Sequence, residues 1–159
     1  MLFRSIIMNR IITNNISSIE SLFKLGEKIK DEEIQGHFAK YLCIKTSGLL
    51  ENYVKATIGD YVDNSSSKPT ANYVKSKMKA FASIDYQKLT NFLGSFNQDW
   101  KNDFCEKMDD KLKSSLNSLI SNRNNIAHGI PDAITFNIIK EHYEATKNVI
   151  RILDNIIKK

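Results

Sequence analysis

Apolar residues recur along this chain at spacings of three and four rather than two, the period of helices packed on one side and not of strands. A first segment, about 3–30, carries Ile12, Ile16, Ile19 and Phe23 along one line, and a second, about 33–62, carries Leu42, Thr46, Leu49, Tyr53 and Ala56. Each is amphipathic and has one face to bury. The stretch 63–70, with its Ser/Asn cluster and Pro69, reads as a loop that ends the second helix, and Thr70 is positioned to cap the next one. Between 71 and 106 the pattern breaks into short helical pieces, around Tyr73 to Phe81, Tyr86 to Leu93 and Trp100 to Cys105.

A clear stripe returns at about 109–128, where Leu112, Leu116, Leu119, Arg123 and Ile126 align. Gly129 stops that helix and Pro131 follows, the usual order of glycine and proline at a helix end. A last helix, about 133–158, shows two adjacent apolar stripes. One holds Ile138, His142, Ala145, Val149, Ile152 and Ile156, and the other Ile139, Tyr143, Thr146, Ile150, Leu153 and Ile157. A face that wide must be covered on both sides, by neighbouring helices or by a partner. The expected fold is therefore an all-α bundle, read as one domain over 1–159 because 159 residues suffice for one good core and not for two ordinary ones.

Composition refines this picture without redirecting it. Apolar residues make up 42% of the chain and charged residues 26%, values that belong to globular chains rather than disordered or membrane ones. The segment from Met1 to Ile12 is apolar enough to suggest a leader, but Arg4 and Arg10 interrupt it and no small-x-small cleavage site follows. No stretch approaches the roughly 20 apolar residues that span a bilayer. The expectation is a cytoplasmic protein without a membrane partner. The net charge of +5 is compatible with a nucleic-acid partner, yet a chain so rich in Lys, Asn and Ile acquires basicity from biased coding alone. Cys43 and Cys105 stand far apart with no histidine at a ligand spacing, so they read as buried reduced thiols; no metal and no cofactor is expected.

The chemistry gathers at the end of the 109–128 helix. Arg123, one of only four arginines, occupies a position that three leucines mark as core-facing, where an unpaired guanidinium is costly unless it meets a polar cleft. Asn124 and His128 lie one turn apart on nearly the same line, within reach of the long Arg123 side chain. At the helix C-terminus the dipole favours an imidazolium, so His128 is placed to hold and release a proton, although Arg123 opposes that shift. The plainer alternative is a structural Arg123–His128 pair closing the helix, with Asn124 and Asn125 as ordinary cap-region residues.

The run Ser121-Asn122-Arg123-Asn124-Asn125-Ile126-Ala127-His128-Gly129 resembles the arginine, four to six residues, histidine signature of HEPN domains, and most closely the RiboL-PSP-HEPN branch. The helix holding Tyr41 to Tyr53, which includes Glu51, is similar to the early helix of that family that carries a glutamate in its middle. The resemblance implies a helical bundle, often dimeric, in which the motif helices of two subunits form one composite cleft that cuts RNA. It implies Arg123 on the scissile phosphate, His128 as acid or base, Asn124 orienting the histidine or a phosphate oxygen, and Glu51 and Asn125 as auxiliary or positioning residues. Arginine suits a bidentate phosphate contact as lysine does not. It implies also a toxin or antiphage effector that a cognate antitoxin or defence partner restrains, or, where cleavage is lost, a module that dimerises or binds a nucleotide or protein. The resemblance suggests that Glu51 pairs with Arg123 across the bundle, whereas its spacing of four from Lys55 offers a surface ion pair, and the surface pair is the preferred reading. His37 and His142 read as structural. Lys75, Lys77 and Lys79, beside Tyr73 and Phe81, read as a solvated face with an RNA-binding strip as the alternative.

Overall fold

In the computed structural model, which describes residues 10–157, the chain forms seven α-helices and no strand among those residues. They are α1 Arg10–Gly26, α2 Glu32–Ser65, α3 Lys68–Met78, α4 Tyr86–Phe96, α5 Gln98–Lys107, α6 Asp110–Ala127 and α7 Phe136–Ile157. The part of the first expected helix before Arg10 lies outside the described residues. That helix ends at Gly26 rather than at 30, and a Cβ at Gly26 would stand 2.3 Å from the Phe136 ring. The close approach requires glycine there and seats the end of α1 on the start of α7.

The spine is α2. Asp31 caps it by accepting the Ile34 N–H at 2.9 Å, and Glu32 and Glu33 in the first turn complement the helix dipole. It runs for 34 residues, roughly 50 Å at 1.5 Å per residue, and packs on α1, α3, α6 and α7. So many neighbours bury more than the single expected stripe: Ala39, Leu42, Cys43, Thr46, Leu49, Leu50, Tyr53 and Val54 are all inside. The Cys43 thiol points its Sγ toward the Leu119 carbonyl at 3.7 Å, tying the spine to α6.

The expected loop at 63–70 shrinks to Ser66 and Ser67. Proline does not end a helix here; it starts one, since Pro69 sits in the first turn of α3, where its missing N–H has no intrahelical acceptor to lose. The N-cap is accordingly Ser67 and not Thr70, whose Oγ1 lies 3.0 Å from the Ser67 Oγ. The expected pieces between 71 and 106 extend into α3, α4 and α5, with the turn 79–85 between the first two. Asp85 caps α4, and Asn97 closes the junction with α5 by accepting the Asp99 N–H at 2.7 Å.

Both stripes of α7 are spent inside the molecule, against α2, α5 and α6, apart from Ile138 at the exposed start. In α6, Leu116, Leu119 and Ile120 are buried while Leu112 and Ile126 are half-buried at the two ends of the stripe. The C-terminal helix thus packs on α6, and the polar residues of α6 emerge where its apolar contacts run out.

Candidate active site at the end of α6

Helix α6 ends in a bonded left-handed cap. Gly129 takes φ +67°, its N–H reaches the Ile126 carbonyl at 3.2 Å, and the Ile130 N–H reaches the Asn125 carbonyl at 2.9 Å. This is the Schellman arrangement, which satisfies carbonyls that the helix would leave open and for which glycine has no steric penalty. It makes His128 the C-cap, with its own N–H on the Asn124 carbonyl at 3.0 Å. The imidazole is exposed and makes no hydrogen bond among the described residues.

Arg123 is half-buried, one turn inward. Its Nη1 donates to Asn124 Oδ1 at 3.2 Å and to Ser83 Oγ at 3.3 Å, and the Ser83 hydroxyl donates in turn to Asn124 Oδ1 at 3.2 Å. Both acceptors are neutral, and no carboxylate among the described residues pairs with this guanidinium. Asn124 also lines a polar cleft of about 410 Å³ formed with Asp85, Tyr86, Gln87, Asn117, Ile120 and Ser121.

Of the expected site residues, Arg123 and Asn124 are thus in contact, His128 stands free beside them in sequence, Asn125 is engaged elsewhere, and Glu51 reaches the group only indirectly. Asn125 donates to Asp132 Oδ2 at 3.2 Å, while Asp132 Oδ1 accepts the Ile134 N–H at 2.9 Å, so this pair pins the loop between α6 and α7. Glu51 forms neither of its expected ion pairs. Its Oε1 accepts the Ser83 backbone N–H at 2.8 Å, and Lys55 reaches the Lys79 carbonyl at 3.4 Å instead. Glu51 therefore touches the Arg123 group through Ser83. No periodicity could have marked Ser83 or Asp132: Ser83 acts from a turn through contacts with α2 and α6 that only packing fixes, and Asp132 acts from the loop after α6 through short-range bonds that follow no helical spacing.

The remaining candidates are structural in their contacts. His142 is buried with Nδ1 2.7 Å from Ser115 Oγ, and His37 lies exposed 4.0 Å from Glu33, one turn away on the same helix. Burial pushes the Cys43 thiol up to about 12, with the Asp132 charge adding to the shift and Arg123 opposing it, so this cysteine is inert at neutral pH. Cys105 is only half-buried. Lys75 is committed to Asp63 at 2.6 Å and Lys77 lies over the exposed Tyr73 ring at 5.4 Å, a solvated helix face in their local contacts. Among the described residues no three His, Cys, Asp or Glu side chains gather as metal ligands would, and no helix is long and apolar enough to cross a membrane.

The family model of RiboL-PSP-HEPN matches residues 10–159, nearly the whole chain. The chain belongs to the RiboL-PSP-HEPN family. Comparison with curated proteins and with solved structures returns no match. Membership agrees with the all-helical bundle.

Proposed function

We propose that this HEPN domain is an endoribonuclease that needs no metal, cutting RNA through its own 2′-OH to leave a 2′,3′-cyclic phosphate and a 5′-hydroxyl. The observation that carries the reading is the state of Arg123: a half-buried guanidinium held by two neutral oxygens keeps its full charge for an anion. HEPN domains are commonly ribonucleases, which fits an anion that is a phosphodiester.

The chemistry balances with few groups. The 2′-oxygen attacks phosphorus as a base takes its proton; the bond to the 5′-oxygen breaks as an acid protonates that leaving oxygen. Arg123 stabilises the charge gathering on the non-bridging oxygens. Asn124, with Oδ1 occupied by Ser83 and Arg123, keeps its Nδ2 donors for the substrate. His128, exposed at a helix C-terminus, carries one of the protons. A second copy presenting the same helix end supplies the other imidazole, so the working enzyme is a homodimer with one composite cleft. A toxin or antiphage role under the control of a partner protein follows from such an activity.

Incubation of the purified protein with labelled RNA in EDTA tests the assignment. The expected products carry cyclic phosphate ends, and Arg123→Ala and His128→Ala each lose on the order of 10²-fold or more in rate while remaining folded. RNA left intact by the wild type under all conditions would replace this reading with that of a HEPN module that binds without cutting.

A further inference from the structure

The turn 79–85 contains the single described residue other than glycine with a positive φ: Ser83, at +51°. Such a conformation disfavours a side chain, and glycine or asparagine occupies it more readily. The backbone alone therefore gives no reason for serine. What the strained residue does is visible in its contacts. Glu51, from the middle of α2, takes the Ser83 N–H at 2.8 Å and fixes the turn. The hydroxyl so placed accepts from Arg123 Nη1 at 3.3 Å and donates to Asn124 Oδ1 at 3.2 Å. Two further bonds hold the same turn: Lys55 Nζ reaches the Lys79 carbonyl at 3.4 Å, and Lys88 Nζ reaches the Ala82 carbonyl. Side chains from α2 and α4 thus converge on a turn whose one outward product is an oriented hydroxyl on the two α6 residues.

From this geometry we infer that Ser83 is a positioning residue of the cleavage site and that Glu51 acts through it. The hydroxyl fixes which way the Asn124 amide faces and which guanidinium donors Arg123 retains for the phosphodiester. A backbone in a sparsely populated conformation, fixed by a half-buried carboxylate, is the kind of strain that persists when a site needs it. The inference rests on the ribonuclease reading for its substrate, while the geometry of the clamp stands apart from it.

Ser83→Gly is the informative variant, because it removes the hydroxyl and relieves the backbone at once. The expected result is a melting temperature equal to or above wild type, with kcat lowered about 10- to 100-fold, the scale of a misplaced catalytic group, and KM changed less. The pH–rate profile keeps its shape, since no proton carrier is touched. Glu51→Gln, which retains an oxygen for the Ser83 N–H, should cost far less than Glu51→Ala. Cleavage by Ser83→Gly at the wild-type rate, or a rate loss matched by a lower melting temperature, would overturn the role. The Nη1–H resonances of Arg123 supply a readout independent of cleavage: hindered rotation and slow exchange in wild type that become fast in Ser83→Gly support the clamp, and unchanged exchange overturns it. Should the wild type cut no RNA, the ribonuclease reading falls and these resonances still decide the clamp.

Discussion

His142 sits on the long apolar stripe of α7 with only 9% of its surface exposed, and its ring nitrogen meets the Ser115 hydroxyl at 2.7 Å. Burial disfavours the charged ring and lowers its pKa below the ordinary 6.5, with Glu141 opposing weakly from the same helix. The direction fixes a dependence on pH. Unfolded chains bind a proton at this histidine near pH 6.5 while the folded protein resists it, so the unfolded state gains protons first as pH falls. Stability from His142 is complete above pH 6.5 and is lost as pH drops through the lowered folded value. The melting temperature should therefore decline below about pH 6.5 more steeply in wild type than in His142→Gln. Parallel melting curves for the two proteins over that range would remove His142 as the cause. At this scale the sequence was legible where one residue broke a pattern: an arginine on a leucine stripe and a histidine before a glycine. It was silent on what a turn contributes, as at Ser83, because no local spacing encodes a contact made 40 residues away.

At the scale of the element, the end of α6 depends on one glycine. Gly129 adopts φ +67° with open space around it, so a methyl group there meets no neighbour and only the backbone objects. The left-handed conformation costs an L-residue about 1–2 kcal/mol, and at 2–4 °C per kcal/mol for a chain of this size Gly129→Ala should melt roughly 2–8 °C lower. The same change loosens the cap that fixes His128 as C-cap, so cleavage should fall at temperatures where the variant is still folded. A calorimetric scan beside an RNA-cleavage assay measures both; a melting temperature equal to wild type would mean that the helix end reorganises without cost. Helix ends were legible in sequence where such chemistry is explicit, as at Gly129, and illegible where one residue has two uses. Proline closes helices in one context and opens them in another, and here Pro69 falls in the first turn of α3, behind the Ser67 cap. The α2 spine shows the complementary limit. A one-face pattern was expected, but a helix packed against four others buries a wider arc than one stripe, and polar positions such as Thr46 and Ser47 are inside as well, while Tyr41 and Ile44 stay exposed on the other side.

For the whole molecule, the two apolar stripes of α7 raised a choice between internal neighbours and a partner, and the bundle covers them internally with α2, α5 and α6. The surface left for a second copy is therefore elsewhere, and the end of α6 is where the proposed chemistry requires it. A single chain offers there one exposed imidazole, His128, whereas transfer of two protons in opposite directions calls for two carriers. Ile130, two residues on, is 52% exposed beside that imidazole, an apolar side chain without a cover. If two copies meet at this end, activity per protomer must depend on concentration, because dilution below the dimer dissociation constant separates the two halves of the cleft. Ile130→Asp should then leave the melting temperature of the dilute protein within about 0.5 kcal/mol of wild type in stability, as surface changes usually do, yet shift the dilution curve to higher concentration. The measurement is specific cleavage rate against protein concentration, with sedimentation velocity on the same samples. A rate per protomer that stays constant while the protein sediments as a monomer would place both proton carriers within one chain, and the search for the second would move to the cleft beside Asn124.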